Sequence, residues 1–202
     1  GFRSDLTVMR LAHDRFRVVT GGAHGMADKK WFTDRMPDGA VVVDLTSSWT
    51  TIGIWGPEAR EIVAAITDTD VSHQGFPFGT CREIEVGSLH VLASRISYVG
   101  EYGWELYTPM ESGAALWERL LEVGTPHGMV PVGIGVYGTT GRLEKGYRAY
   151  GAELDSERTL METGMSRARW TAQVFVGNEA VIAQAQEAPK RVLCTLTVDD
   201  PT

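Results

Sequence analysis

The run CREIEV-GS-LHVLAS, Cys81 to Ser94, constrains the fold more than any other stretch. Two alternating segments flank a Gly87-Ser88 pair, and a two-residue link of that kind closes a tight primed hairpin turn. The chain must therefore contain an antiparallel pair here. SYVGEYGWELY follows directly, from Ser97 to Tyr107. A strand beginning near Trp104 turns Trp104 and Leu106 to one face and Glu105 and Tyr107 to the other. Trp104 and Leu106 then belong to a core, and Glu105 to a cleft or to solvent. Tyr98 precedes a turn at Gly100 that can fold its ring back toward Glu105.

Around this centre, strand and helix signals alternate. Asp5 to Leu11 and Asp14 to Gly21 read as a hairpin across a two-residue break. Ala23 to Met36 reads as a helix. Ala40 to Thr46 (AVVVDLT) reads as a buried strand, and Thr50 to Trp55 as another. In GPEAREIVAAI, Pro57 suits a first helical turn. Ile62, Val63 and Ile66 supply that helix's apolar face. This order predicts an α+β fold with mixed or antiparallel sheets and helices packed on one side. Leu116, Leu120 and Leu121 mark a further helix that ends at Gly124, and a glycine-rich one is expected from Pro131. Ala149 to Val176 breaks into loops and turns. Lys190 to Asp200 has strand character, and no partner strand follows it, which reads as truncation.

Composition removes several function classes. Hydrophobic residues are 43% and charged residues 22% of 202, an ordinary globular balance. The net charge of −7 argues against a nucleic-acid backbone as partner. No apolar run approaches the roughly 18 residues that span a bilayer, so neither a membrane span nor secretion is expected. The chain begins at Gly1, so an N-terminal address could have been removed. Cys81 and Cys194 are far apart, and two cysteines suit a reducing compartment. That is the cytoplasm, or the mitochondrial matrix in a eukaryote. His13, His24, His73, His90 and His127 lack metal-ligand spacing, and no metal is expected. The glycines near Gly133 and Gly135 lack the setting of a dinucleotide fingerprint, and no nucleophile elbow is present.

A carboxylate beside an aromatic ring suits a flat, nitrogen-rich heterocycle, because it accepts two N–H donors side by side. From the residues alone, a solvated strand glutamate remains the simpler reading of Glu105. Asp5 at a strand start reads equally as a cap. Arg142 and Glu144 read as a surface pair or a structural anchor.

Five ordered blocks shift that balance: SDLTVMRLAHDRFRVVTG, IWGPEAREIV, SYVGEYGWELYTP, RLEKGYRAYGAELDSERTLMETGM and FVGNEAV. Together they resemble the folate-binding aminomethyltransferase family. This family includes the glycine cleavage T protein and the C-terminal halves of dimethylglycine and sarcosine dehydrogenases. The resemblance implies three lobes around a folate channel, truncated here at both ends. Residues 1–165 would form the central core and 166–202 the start of a C-terminal β-barrel lobe. It implies that Asp5 in SDL is catalytic. Tyr98 and Glu105, seven apart, would bind the pterin, with Glu101 and Arg142 as further cofactor-binding candidates. A ligand-binding arginine of the T proteins has no match, and VYGTTG, with Tyr137, stands in that region.

The implied cofactor is tetrahydrofolate, with FAD only in a separate domain if fused. The implied partners are a small methylated amine donor and a flavin domain or lipoyl carrier protein. The implied activity is one-carbon transfer from an N-methylated or aminomethyl donor, nearer the dehydrogenase branch. The alternatives are a non-catalytic folate-binding module, or a stand-alone T-protein-like enzyme.

Overall fold

The computed structural model describes residues 1–165 and 174–199. It separates into two units, Leu6–Tyr147 and a second made of Gly1–Asp5 with Arg148–Thr202.

The larger unit is organised by one four-stranded antiparallel sheet. Its strands are β3 (Trp49–Trp55), β4 (Cys81–Val86), β5 (Leu89–Ser94) and β6 (Gly103–Pro109), in the order β3-β6-β5-β4. The β4–β5 turn is the expected one. Gly87 takes φ +60°, and Val86 pairs with Leu89 across it. That left-handed angle is open to glycine at no steric cost.

Alternation on β6 divides the sheet's two faces. Trp104 and Leu106 are fully buried on one, as expected. Against them pack Ile62 and Val63 of α2 (Ala59–Ala64) and Leu116 and Leu120 of α3 (Gly113–Gly124). Ile54, Ile84, Val91 and Ala93 complete this core from the neighbouring strands. Each large side chain buried there contributes about 1.5–3 kcal/mol. Arg95 is also buried. Its guanidinium donates to the Phe76 carbonyl at 2.6 Å and lies 4.2 Å from the Tyr102 ring centre, which ties the 70–80 loop to the sheet.

The opposite face carries a second, smaller cluster of Met9, Leu92 and Tyr107. Met9 comes from a separate hairpin, β1 (Leu6–Arg10) paired with β2 (Phe16–Thr20). The fold is therefore α+β with antiparallel sheets, with α2 and α3 on one face of the main sheet. The helix expected over 23–36 is α1 (Gly25–Thr33).

Four expectations need correction. The β1–β2 link spans Leu11–Arg15 rather than two residues, because Leu11 and Ala12 N–H both donate to the Arg15 carbonyl, at 2.8 and 3.1 Å. The segment 40–46 is not a buried strand: Val41 is 82% and Val43 67% exposed. A turn at Pro37–Gly39 precedes it. Asp44 then bonds the Thr46 N–H at 3.1 Å and hydroxyl at 2.7 Å, which bends the chain before any ladder forms. The helix expected from Pro131 is irregular, a π-helical turn over Val136–Gly141 running into α4 (Arg142–Lys145). Residues 190–199 form no strand, since the described residues offer them no neighbouring strand, and Asp200 lies outside those described.

In the smaller unit, the described stretch from Ala149 to Met165 is built of turns, as expected. Phe2 N–H donates to the Asp155 carbonyl at 2.7 Å. Glu162 accepts from the Thr159 N–H at 2.9 Å and from Arg191 at 3.2 Å, and these bonds, the backbone one foremost, hold its carboxyl below the usual range. One helix follows, α5 (Asn178–Ala185). The expected boundary at 165/166 adjoins residues 166–173, which lie outside those described.

Candidate functional site

Glu105 lies on the β6 face opposite the helical core, paired across to Gly53 of β3 and to Ser94 of β5. Neither neighbour projects a bulky side chain over it. At Gly53 the space is used: a Cβ there would stand 2.0 Å from the Trp55 ring. Glycine in this strand thus lets the Trp55 indole fold back along β3. The indole N–H donates to the Ile96 carbonyl at 3.0 Å, which fixes that orientation.

Two tyrosine hydroxyls converge on the Glu105 carboxylate. Tyr107, two residues along the same face, donates to Oε2. Tyr137, from the π-helical turn, makes the second side-chain bond. The Tyr137 ring sits between Trp55, at 5.4 Å between ring centres, and Tyr98, at 5.2 Å. Tyr98 stacks in turn on Tyr147 at 5.8 Å and 27°. The result is a partly buried carboxylate walled by aromatic rings.

The electrostatics follow from that burial. Desolvation pushes the Glu105 carboxyl above its ordinary range, and the bonds from Tyr107 and Tyr137 oppose the rise. Burial also pushes the Tyr107 phenol up, and the adjacent Glu105 charge adds to it. Arg17 of β2 lies above the Trp49 ring at 3.8 Å. Burial lowers the pKa of its guanidinium, while Tyr107 and then Glu83 act to raise it. One of its terminal nitrogens, Nη1, is buried without a hydrogen-bond partner, as is the Ser97 hydroxyl beside Tyr98.

The sequence-derived candidates are distributed unevenly. Tyr98 and Glu105 are brought into one cluster, with Tyr137 bridging them. Arg142 is buried. It donates to the carbonyls of Gly138 at 2.7 Å and Tyr147 at 3.1 Å, so it braces the turn that carries Tyr137. Glu101 is exposed in the 99–102 turn. Asp5 is an exposed residue of the smaller unit, directly before β1.

Sequence reasoning missed Gly53, Trp55 and Tyr137 as parts of the site. A glycine inside TTIGIW was the available signal for a close approach. Tyr137 had one in its place, the region of the T proteins' ligand-binding arginine, but nothing in the sequence showed that it would reach Glu105, 32 positions away. Among the described residues no group of three or more His, Cys, Asp or Glu side chains could hold a metal ion. No described helix is long and apolar enough to cross a membrane.

Comparison with known proteins agrees on one group. The pattern of the GCVT N-terminal domain matches residues 1–171. An aminomethyltransferase of Thermoanaerobacter sp. (strain X514) is 33% identical over 193 residues, covering 95% of this chain and 52% of its own. The mitochondrial dimethylglycine dehydrogenase of Mus musculus is 32% identical over 205 residues, covering 96% of this chain and 23% of its own. The chain thus spans about half the length of the curated aminomethyltransferases it matches. The crystal structure of the glycine cleavage system aminomethyltransferase T from Bartonella henselae superposes with a TM-score of 0.76 at 23% identity, covering 95% of this chain and 51% of that one.

Proposed function

The chain belongs to the GCVT N-terminal domain family, that of the folate-dependent aminomethyltransferases, and from this premise we propose that it holds tetrahydrofolate at Glu105 for one-carbon transfer. The observation that carries the proposal is the Glu105 carboxylate itself. It is partly buried, oriented by two tyrosine hydroxyls and faced by aromatic rings. A pterin edge offers parallel N–H donors, and a carboxylate accepts such a pair in a bidentate, charge-assisted bond. The rings of Trp55, Tyr98 and Tyr137 supply flat apolar contact for the heterocycle. The unpartnered Ser97 hydroxyl is a polar group that such a ligand could satisfy.

Tetrahydrofolate, when bound, supplies the amine nitrogen that takes up the one-carbon unit. The protein's share is mostly positioning. Glu105 fixes the heterocycle's orientation, and Tyr98 and Trp55 limit its tilt. Holding reactants in register in this way can supply about 7–11 kcal/mol of a barrier. Asp5 is proposed to polarise the reacting centre or move a proton there. Arg142 acts through the Tyr137 turn that it braces, and Glu101 is kept as a weaker candidate for ligand contact.

The donor is proposed to be an N-methylated or aminomethyl amine. Tyr137 in place of the arginine implied by the T-protein resemblance favours the dimethylglycine dehydrogenase-like branch. A flavin domain would then be the partner that generates the activated donor.

Calorimetric titration of Glu105→Gln with a reduced folate tests the reading. Losing a charged, paired acceptor should weaken binding roughly 10- to 150-fold. Equal affinity in parent and variant would reduce Glu105 to a solvated strand residue.

A further inference from the structure

The proposal that Glu105 takes the ligand leaves open what holds the carboxylate in place. A glutamate has three rotatable side-chain bonds, and burial favours its neutral form. Two donors act against both tendencies, and they are not equivalent. Tyr107 stands on the same strand, so its bond ties Glu105 only to its own element. Tyr137 comes from the π-helical turn at Val136–Gly141, and its bond ties Glu105 to a second element.

Tyr137 is itself restrained on several sides. Trp55 and Tyr98 flank its ring at 5.4 and 5.2 Å. Arg142 grips the carbonyl of the next residue, Gly138, at 2.7 Å. Gly141 closes the turn against the 97–100 segment, where a Cβ would stand 2.9 Å from Val99. A π-helical turn is rare and is frequent at functional sites.

Burial is the largest influence on the ionisation of Glu105, and the two phenols are what opposes it. Gly53 from β3 brings no side chain, and Ser94 from β5 brings no charge. Arg17 from β2 faces Tyr107. A carboxylate offers about four lone-pair positions. Two tyrosine bonds leave room for two further donors, which suits a ligand edge with two parallel N–H groups.

We infer that Tyr137 is the positioning residue of this site: its ring, held between Trp55 and Tyr98 on the turn that Arg142 braces, keeps the Glu105 carboxylate aimed for a two-donor heterocycle edge. This rests on the reading of Glu105 as ligand acceptor, but it has a readout that needs no ligand.

The experiment labels the whole chain with carboxyl-13C glutamate and titrates it by NMR, with the Glu105 signal assigned by its loss in Glu105→Gln. In Tyr137→Phe the Glu105 midpoint should move upward, because a bond to the charged form is gone. Trp55→Leu, which removes one jaw of the clamp, should move it in the same direction by less. The same proteins are then titrated with tetrahydrofolate between about pH 5.5 and 8.5. Tyr137→Phe should bind roughly tenfold or more weakly at the acid end and recover toward the parent at the alkaline end.

An unmoved Glu105 midpoint overturns the inference, even where folate binds. So does a loss of affinity that is equal at every pH, which is the mark of a packing role, and so does tighter binding, which would make Tyr137 a competitor of the ligand. A midpoint that moves in a parent blind to folate supports the role of Tyr137 and overturns instead the folate reading of Glu105.

Discussion

Replacing Gly53 by alanine tests how the aromatic wall beside Glu105 is built. Position 53 lies mid-strand, across from Glu105, and its backbone is outside the left-handed region. The new methyl therefore costs no backbone strain. It would, however, stand 2.0, 2.3 and 2.8 Å from three ring atoms of Trp55. No side chain tolerates such contacts, so the indole must leave its seat. It then gives up the bond to the Ile96 carbonyl and the contact with Tyr137. The bond contributes about 1 kcal/mol and the aromatic pair about 1 kcal/mol. Against this, Gly→Ala stabilises by about 0.4–1 kcal/mol through the unfolded chain. The balance is a loss of about 1–1.5 kcal/mol. Urea unfolding of parent and Gly53→Ala measures it. Indole emission, compared with a Trp55→Phe background, reports whether the ring has moved. If Gly53→Ala is at least as stable as the parent and emits identically, the methyl fits, and the account of Gly53 as the seat of Trp55 is wrong.

Other substitutions probe separate parts of the molecule. Asp5→Asn should lower one-carbon transfer roughly 100-fold or more in a protein that carries the activity, with folate affinity little changed; a variant that transfers at the parental rate removes Asp5 from the mechanism. Leu106→Ala empties a fully buried core position and should cost about 2–5 kcal/mol in denaturant unfolding. Arg142→Met strands the carbonyls of Gly138 and Tyr147 and should cost about 2–4 kcal/mol; an unaltered midpoint would show that the turn holds without it. Thr46, chiefly through its hydroxyl, and then Lys29 lower the Asp44 carboxyl from 3.8 to about 2. Because the folded value is the lower one, this stabilisation is present above the unfolded value and is lost as pH falls through about 2. Asp44→Asn should flatten stability against pH in that window.

The parts of the fold legible in the sequence were those fixed by local chemistry. Gly87-Ser88 dictated a turn, and the β6 alternation told which side chains face the helices. Apolar, strand-like composition misled at 40–46 and over the described part of 190–200. It records that a segment is apolar, and it says nothing about which strand will pair with it. Backbone pairing is a property of two segments, and neither stretch finds its second among the described residues. The site divides in the same way. Glu105 and Tyr107 share a face because they are two apart on a strand, which the sequence displays. Tyr137 reaches them only because a glycine-rich π turn brings a distant segment over the sheet.

The β6 strand has a consequence for errors in folding. Its odd positions carry the proposed ligand chemistry and its even positions carry the core. Slippage by a single residue against β3 or β5 would exchange the two sets at once. Glu105 would be driven among apolar side chains and Trp104 left facing the tyrosines. A one-residue slip therefore has no form that is stable but inactive, because the misalignment that blinds the site also removes the centre of the core. Quality control in the cell, which responds to exposed apolar surface, would discard such a molecule without ever needing to test whether it works.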